Sequence, residues 1–237
     1  VSRFCIIPAR GGSKRIPRKN IKPFHGIPII NYSIAAARDS QLFDGIWVST
    51  EDREIAAIVN KYWEDVALVV LRPDELADDK TGTQAVMRHA LTKLEAGWGD
   101  EVCCLYATAP MVTPQDIRLG HTCLTKTEWN PTYAFAVTTF PFPVQRALSR
   151  RSDGAIWPVW SEHADTRSQD LEEHWHDAGQ WYWGRASAFL REEQIYAPAS
   201  IGVPIPRWRV QDIDTEEDWI RAELMYAALV EGGKRLT

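Results

Sequence analysis

The chain alternates short apolar runs with longer segments whose apolar residues recur at helical spacing. Phe4-Cys5-Ile6-Ile7 is an unbroken apolar run that stops at Pro8, the pattern of a strand covered on both faces. It predicts a central strand over Arg3–Pro8. After a stretch rich in glycine and cations, Pro28 opens a segment with Ile30, Ile34 and Ala37 on one helical face, and proline is tolerated in a first helical turn. The alternation continues with strands near Gly45–Ser49, Val66–Val70 and Glu101–Tyr106, separated by helices near Asp52–Tyr62, Thr83–Leu94 and Pro114–Lys126. Later strands at Gly179–Trp183 and Ile201–Ile205 precede a helix from Thr215 to about Val230.

Strands joined through helices need crossover connections, which are right-handed in nearly all parallel sheets. The expected fold class is therefore α/β: a Rossmann-like, doubly wound, mainly parallel sheet. Ligands in such sheets bind beyond the carboxyl ends of the strands, so the loops Ala9–Pro23, Leu71–Lys80 and Ala107–Thr113 are expected to converge on one cleft. From Phe140 the texture changes. Pro141 and Pro143 break the chain, and Arg146–His176 mixes charge with Trp157, Trp160 and Trp175 without periodicity. Residues 140–176 are read as a dimerisation arm protruding from an α/β domain made of 1–139 and 177–237. An arm this aromatic needs a covering surface, most economically a second copy in a two-fold homodimer; packing on its own domain is the alternative.

Composition narrows the function. Lys+Arg 27 against Asp+Glu 32 gives a formal net charge of −5, which argues against nucleic acid as a partner. The charge is uneven: residues 1–38 hold eight cations and no Asp or Glu, as for a local anion site. No stretch approaches the roughly 20 apolar residues of a membrane span, and the first residues read as a strand instead of a signal peptide, so a cytoplasmic protein without a membrane partner is expected. Cys5, Cys103, Cys104 and Cys123 lack metal-binding or disulfide-framework spacing and read as reduced core thiols, with Cys103 and Cys104 on opposite strand faces.

The candidate chemistry lies directly after the first strand. Pro8 to Asn20 contains Gly11, Gly12 and five cations. Glycines let backbone amides approach a phosphate chain closely, and cations neutralise charge on phosphoryl oxygens. The stretch fits neither the P-loop nor the dinucleotide-binding fingerprint. Near the other end, Asp212 and Asp214 flank Ile213, and an extended backbone would set both carboxylates on one face, suited to Mg²⁺. Helix capping by Asp214 or Thr215 is the competing reading of that segment.

The run Ala9-Arg10-Gly11-Gly12-Ser13-Lys14-Arg15-Ile16-Pro17-Arg18-Lys19-Asn20 resembles the signature of the CMP-sialic acid synthetase, or acylneuraminate cytidylyltransferase, family. Ser49-Thr50-Glu51-Asp52, Arg72-Pro73-Asp74-Glu75-Leu76-Ala77 and Asp212-Ile213-Asp214-Thr215 extend the likeness to nearly the whole chain. Leu105 to Pro110 and His176 to Trp183 are most like the members that act on pseudaminic acid. The resemblance implies a cytidylyltransferase in which the anomeric hydroxyl of a nine-carbon acidic sugar attacks the α-phosphorus of CTP, with Mg²⁺ as cofactor. It implies Arg10 and Lys19 as catalytic residues. It implies CTP contacts from Arg10, Gly11, Gly12, Ser13, Lys14, Lys19, Asn20, Arg72, Thr81 and Thr83, and sugar contacts from Tyr106, Gln180, Tyr182 and the partner-directed Arg167. It implies metal binding by Asp212 and Asp214. N-acetylneuraminic or legionaminic acid as the sugar, and a non-catalytic nucleotide-sugar binding protein, are the alternatives.

Overall fold

A computed structural model of the protein describes residues 1–78 and 81–231; positions 79–80 of the expected Leu71–Lys80 loop and 232–237 of the expected α/β domain segment 177–237 lie outside the described residues. The strands are β1 (Arg3–Pro8), β2 (Pro23–Phe24), β3 (Ile27–Pro28), β4 (Gly45–Thr50), β5 (Ala67–Leu71), β6 (Glu101–Leu105), β7 (Tyr133–Thr139), β8 (Leu148–Arg150), β9 (Ile156–Pro158), β10 (Trp175–Arg185) and β11 (Ser200–Pro204). The helices are α1 (Ile30–Ser40), α2 (Arg53–Trp63), α3 (Thr83–Lys93), α4 (Pro114–Lys126), α5 (Ala186–Leu190) and α6 (Glu216–Glu231).

Seven strands form one sheet in the order β5-β4-β1-β6-β10-β7-β11. β4, β5 and β6 run parallel to β1, and β11 runs parallel to β7. β10 is antiparallel to both of its neighbours. The unbroken apolarity of β1 now has its cause: Cys5 and Ile7 enter a core with α1, α2 and α4, while Ile6 enters the opposite core with α3 and α5. Cys103 and Cys104 divide in the same way, and burial raises both thiols.

β7 is a strand the sequence reading did not name. Tyr133, Phe135 and Val137 fill one core and Ala134 and Ala136 the other, so large and small side chains alternate where polar and apolar would on a half-exposed strand. No α-helix lies between β7 and β10, and a connection without a crossover leaves the next strand antiparallel. Segment 140–176 supplies that connection. It holds the β8–β9 hairpin and short 3₁₀ turns, and Phe142, Leu148, Ile156, Trp157, Trp160 and Trp175 are exposed in the single protomer. No helix among the described residues is long and apolar enough to cross a membrane.

A third cluster joins distant segments. Ile16, Phe24, Ile29, Ile213, Trp219 and Ala222 pack together, which ties the cationic loop and the small β2–β3 hairpin to α6. On the opposite flank, α4 approaches the sheet at Gly120, where an added Cβ would lie 2.7 Å from Trp183 Cδ1 and closer still to the Trp181 ring. Alanine is favoured over glycine in a helix by about 1 kcal/mol, but both indoles are fully buried and cannot retreat. Gly120→Ala should therefore destabilise the protein by about 1–3 kcal/mol despite its better propensity, measured as a lower urea midpoint; an unchanged or raised midpoint would refute the close approach.

Candidate active site

An open cavity of about 590 Å³ lies beyond the carboxyl ends of β1, β5 and β6. The chain turns to β4 and β5 on one side of β1 and to β6 on the other, so this is the crevice at the topological switch point. Arg10, Ser13, Lys14, Lys19 and Asn20 line it from the loop after β1. Arg72, Thr81 and Thr83 line it from the segment after β5, Tyr106 and Thr108 from the loop after β6, and Asp214 from the approach to α6. The three loops singled out in the sequence meet here.

The cationic loop is held by Asn20 at the cavity wall and by groups that lie outside the cavity. Asn20, nearly buried, donates from Nδ2 to the Arg10 carbonyl at 2.8 Å and closes the loop on itself. Ile16, between Arg15 and Pro17, is buried in the third cluster. Arg18 adopts a left-handed backbone at φ 56°, and its guanidinium forks onto Asp52 at 2.6 and 2.8 Å. Those hydrogen bonds, with the Ile55 amide and the guanidinium charge, hold the Asp52 carboxyl down to about 2. The Asp52 carboxylate also caps α2 by accepting from the amides of Glu54 and Ile55 at 2.9 Å. Gly11 has no room for a side chain, since a Cβ would lie 2.8 Å from Asp52 Cγ. Its amide donates to Glu51 Oε1 at 2.7 Å. Gly11 and Gly12 do not line the cavity; Ser13 does.

The aspartate segment reaches the same place by burial of its middle residue. Ile213 is fully buried, so its neighbours Asp212 and Asp214 project from the cluster instead of into it. Lys19 Nζ donates to the Ile213 carbonyl at 2.5 Å and lies 3.4 Å from Asp214 Oδ1. Arg15 pairs with the same carboxylate at 2.7 Å. Of the two expected caps, Thr215 takes the role: Thr215 and Asp218 exchange hydrogen bonds between side chain and backbone, leaving the Asp214 carboxylate to the cations. Partial desolvation, and then the charge of Asp214, push the Asp212 carboxyl above its ordinary value although the residue remains exposed. Upstream, Arg209 forms a buried bidentate pair with Asp116, the capping acid of α4. Gln180 Nε2 donates to the Arg209 carbonyl at 2.7 Å.

The remaining candidates divide by position. The Arg72 side chain is only 3% exposed and pairs with Glu51. Thr81 is bound to the Asp78 carboxylate through its amide and its hydroxyl, at 2.7 and 2.6 Å. Arg10 reaches across the cavity to the Asp78 carbonyl at 3.1 Å. The Thr83 and Tyr106 hydroxyls lie 3.1 Å apart, and burial pushes the Tyr106 phenol up to about 12. Tyr182 is buried behind Tyr106, with ring centroids 5.3 Å apart. Its hydroxyl, like that of Tyr196, donates to Asp177 Oδ2 at 2.5 Å. Gln180 and Tyr182 do not line the cavity, and Arg167 is exposed on the segment 140–176, outside it. Two residues without an assigned role in the sequence reading stand out: Glu51, which contacts two loops, and Asp177, which gathers two tyrosine hydroxyls. Both sit inside runs noted for other reasons, and the signal that would have marked them is partnership across the fold.

The model of the family described as Cytidylyltransferase matches residues 4–202. The chain is 39% identical over 228 residues to pseudaminic acid cytidylyltransferase of Campylobacter jejuni, covering 95% of this chain and 97% of that one. It is 33% identical over 210 residues to a Helicobacter pylori protein described as pseudaminic acid cytidylyltransferase and UDP-2,4-diacetamido-2,4,6-trideoxy-beta-L-altropyranose hydrolase, covering 89% of this chain and 40% of that one. Among solved structures, CMP:2-keto-3-deoxy-manno-octonic acid synthetase complexed with CTP superposes with a TM-score of 0.69 at 15% identity, over 96% of this chain and 99% of that chain.

The Arg18–Asp52 fork sets an acid response. The folded Asp52 carboxyl titrates at about 2, below its ordinary 3.8, so its contribution to stability is complete above 3.8 and is lost as pH falls through 2. Asp52→Asn keeps a good capping residue and removes the charge. The stability gap between the two proteins, from urea unfolding, should hold constant above 3.8 and close as pH approaches 2. A gap independent of pH would contradict the pairing.

Proposed function

Because the chain belongs to the cytidylyltransferase family, we propose that it transfers the CMP unit of CTP to pseudaminic acid, forming CMP-pseudaminic acid and pyrophosphate. The observation that carries this reading is the single cavity in which Arg10, Ser13, Lys14 and Lys19 face Arg72, Thr83 and Tyr106, with Asp214 beside Lys19. Its cationic side suits a triphosphate. The sugar follows from the relatives that share nearly the full chain length and are described as acting on pseudaminic acid.

In this reading the anomeric hydroxyl displaces pyrophosphate in line at the α-phosphorus, and the protein's work is alignment and charge stabilisation. Arg10 and Lys19 neutralise charge developing on the phosphoryl oxygens, with Lys14 toward the terminal phosphates. Lys19 is well prepared for this: the Ile213 carbonyl fixes its ammonium at 2.5 Å, so little reorientation is needed. Arg72, Thr81 and Thr83 hold the nucleoside end, and Tyr106 borders the sugar. The phenols of Tyr106 and Tyr182 are raised, so both stay protonated as hydrogen-bond donors at neutral pH.

The acids near Lys19 fit a hard divalent cation. Asp214, in the cavity lining, and Asp212, two residues before it and outside that lining, would offer oxygen donors. Two carboxylates completed by substrate phosphates are an ordinary Mg²⁺ arrangement. Mg²⁺ bound there supplies charge neutralisation and orients the triphosphate. The exposed aromatic residues of 140–176 are the surface for a second copy, which would bring Arg167 toward a neighbouring site. The reaction would draw on the cell's CTP pool, which supports a cytoplasmic setting.

Purified protein with CTP, Mg²⁺ and a panel of nonulosonic acids should release pyrophosphate with pseudaminic acid. No release with any sugar would overturn the reading, and release with N-acetylneuraminic acid alone would keep the class and change the substrate. Lys19→Met should lower kcat by about 100-fold, and an effect confined to the sugar KM would contradict its role. Asp214→Asn should raise the Mg²⁺ concentration for half-maximal rate by about tenfold or more, and an unchanged Mg²⁺ dependence would remove Asp214 from the metal site.

A further inference from the structure

We infer that Glu51 is a positioning residue that fixes the distance between the two sides of the nucleotide cleft. The inference rests on the proposed occupation of that cleft by CTP. Glu51 follows β4, the strand between β1 and β5 in the sheet, so its side chain can reach the loops of both neighbours. One carboxylate oxygen, Oε1, accepts the Gly11 amide at 2.7 Å. The other, Oε2, accepts Arg72 Nε at 3.0 Å and pairs with Arg72 NH2 at 2.8 Å. The Glu51 side chain is 13% exposed and that of Arg72 is 3% exposed, so neither partner is readily replaced by water.

This arrangement assigns different work to the two ends of one carboxylate. Arg72 lines the cleft, and without Glu51 its guanidinium would be a buried charge lacking its acid. Gly11 lies between Arg10 and Ser13, both of which line the cleft, while its own amide points to Glu51. The Gly11 amide therefore anchors the loop to Glu51. The absence of a side chain at Gly11 matters for the same reason: a Cβ would collide with Asp52 and push the amide away from Glu51. Both loops are thus referenced to one rigid group at the end of one central strand.

Two substitutions separate this role from simple stabilisation. Glu51→Gln keeps the length but turns one acceptor into a donor, which must face either the Arg72 guanidinium or the Gly11 amide. Glu51→Asp keeps the charge but is too short to span both partners. Calorimetric titration with CTP should show affinity weakened by about tenfold or more in each variant, the scale of a lost charged hydrogen bond, with the sugar KM within about twofold of wild type. Wild-type CTP affinity in either folded variant would overturn the inference, as would full rescue by aspartate. Equal loss of CTP and sugar affinity, or failure of both variants to fold, would assign Glu51 to general stability and overturn it as well. If the wild-type protein itself binds no CTP, the proposed function fails, and the inference with it.

Discussion

Ile213 has to be buried, and the geometry of the cleft follows from that constraint. An isoleucine between two aspartates is an unfavourable neighbour for water. Its burial with Ile16, Phe24 and Trp219 draws in the polar groups attached to it. Lys19 meets the Ile213 carbonyl, Arg15 meets Asp214, and the cationic loop faces the aspartate segment at close range. The apolar contacts supply the non-directional attraction; the lysine–carbonyl bond and the ion pair supply the register.

The same division of labour recurs around the cavity. Cations in and around the cleft are paired with acids: Arg15 and Arg72 in its lining, and Arg18 and Arg209 outside it. Asp52 holds Arg18, Glu51 holds Arg72 and Gly11, and Asp116 holds Arg209 just before the aspartate segment. A cluster of cations would otherwise spread apart by mutual repulsion. The mildly acidic total charge of the chain and the positive character of its cleft are therefore compatible, because the acids serve as scaffolding for the cations.

Much of this was legible in the sequence, for physical reasons. β1 announced itself because strands covered on both faces need unbroken apolarity, and the basic run after it marked an anion site. β7 was not legible: with both faces buried it alternates large and small residues instead of apolar and polar ones. The antiparallel direction of β10 depends on a connection without a helix, which becomes decisive only once β7 is known. Within the site, Arg10, Ser13, Lys14, Lys19, Asn20, Arg72, Thr81, Thr83, Tyr106 and Asp214 meet at one cavity. Gln180 has a partner that no local pattern reveals. It lies two residues from Tyr182, and its Nε2 donates to the Arg209 carbonyl while its Oε1 is buried without a hydrogen-bond partner among the described residues. Glu51 was hidden for the same reason, since its role depends on partners 40 and 21 positions away.

Lys19 and Ile213 are separated by 194 positions, which has a consequence for biosynthesis. As the polypeptide leaves the ribosome, the cationic loop is exposed long before the segment that neutralises and seats it has been translated. Through most of elongation the loop has Glu51 and Asp52 to meet it, but Ile16 and Phe24 lack the α6 side of their cluster. Maturation of the cleft is accordingly a post-translational docking event, and during that interval chaperones and polyanions have their best opportunity to engage this protein.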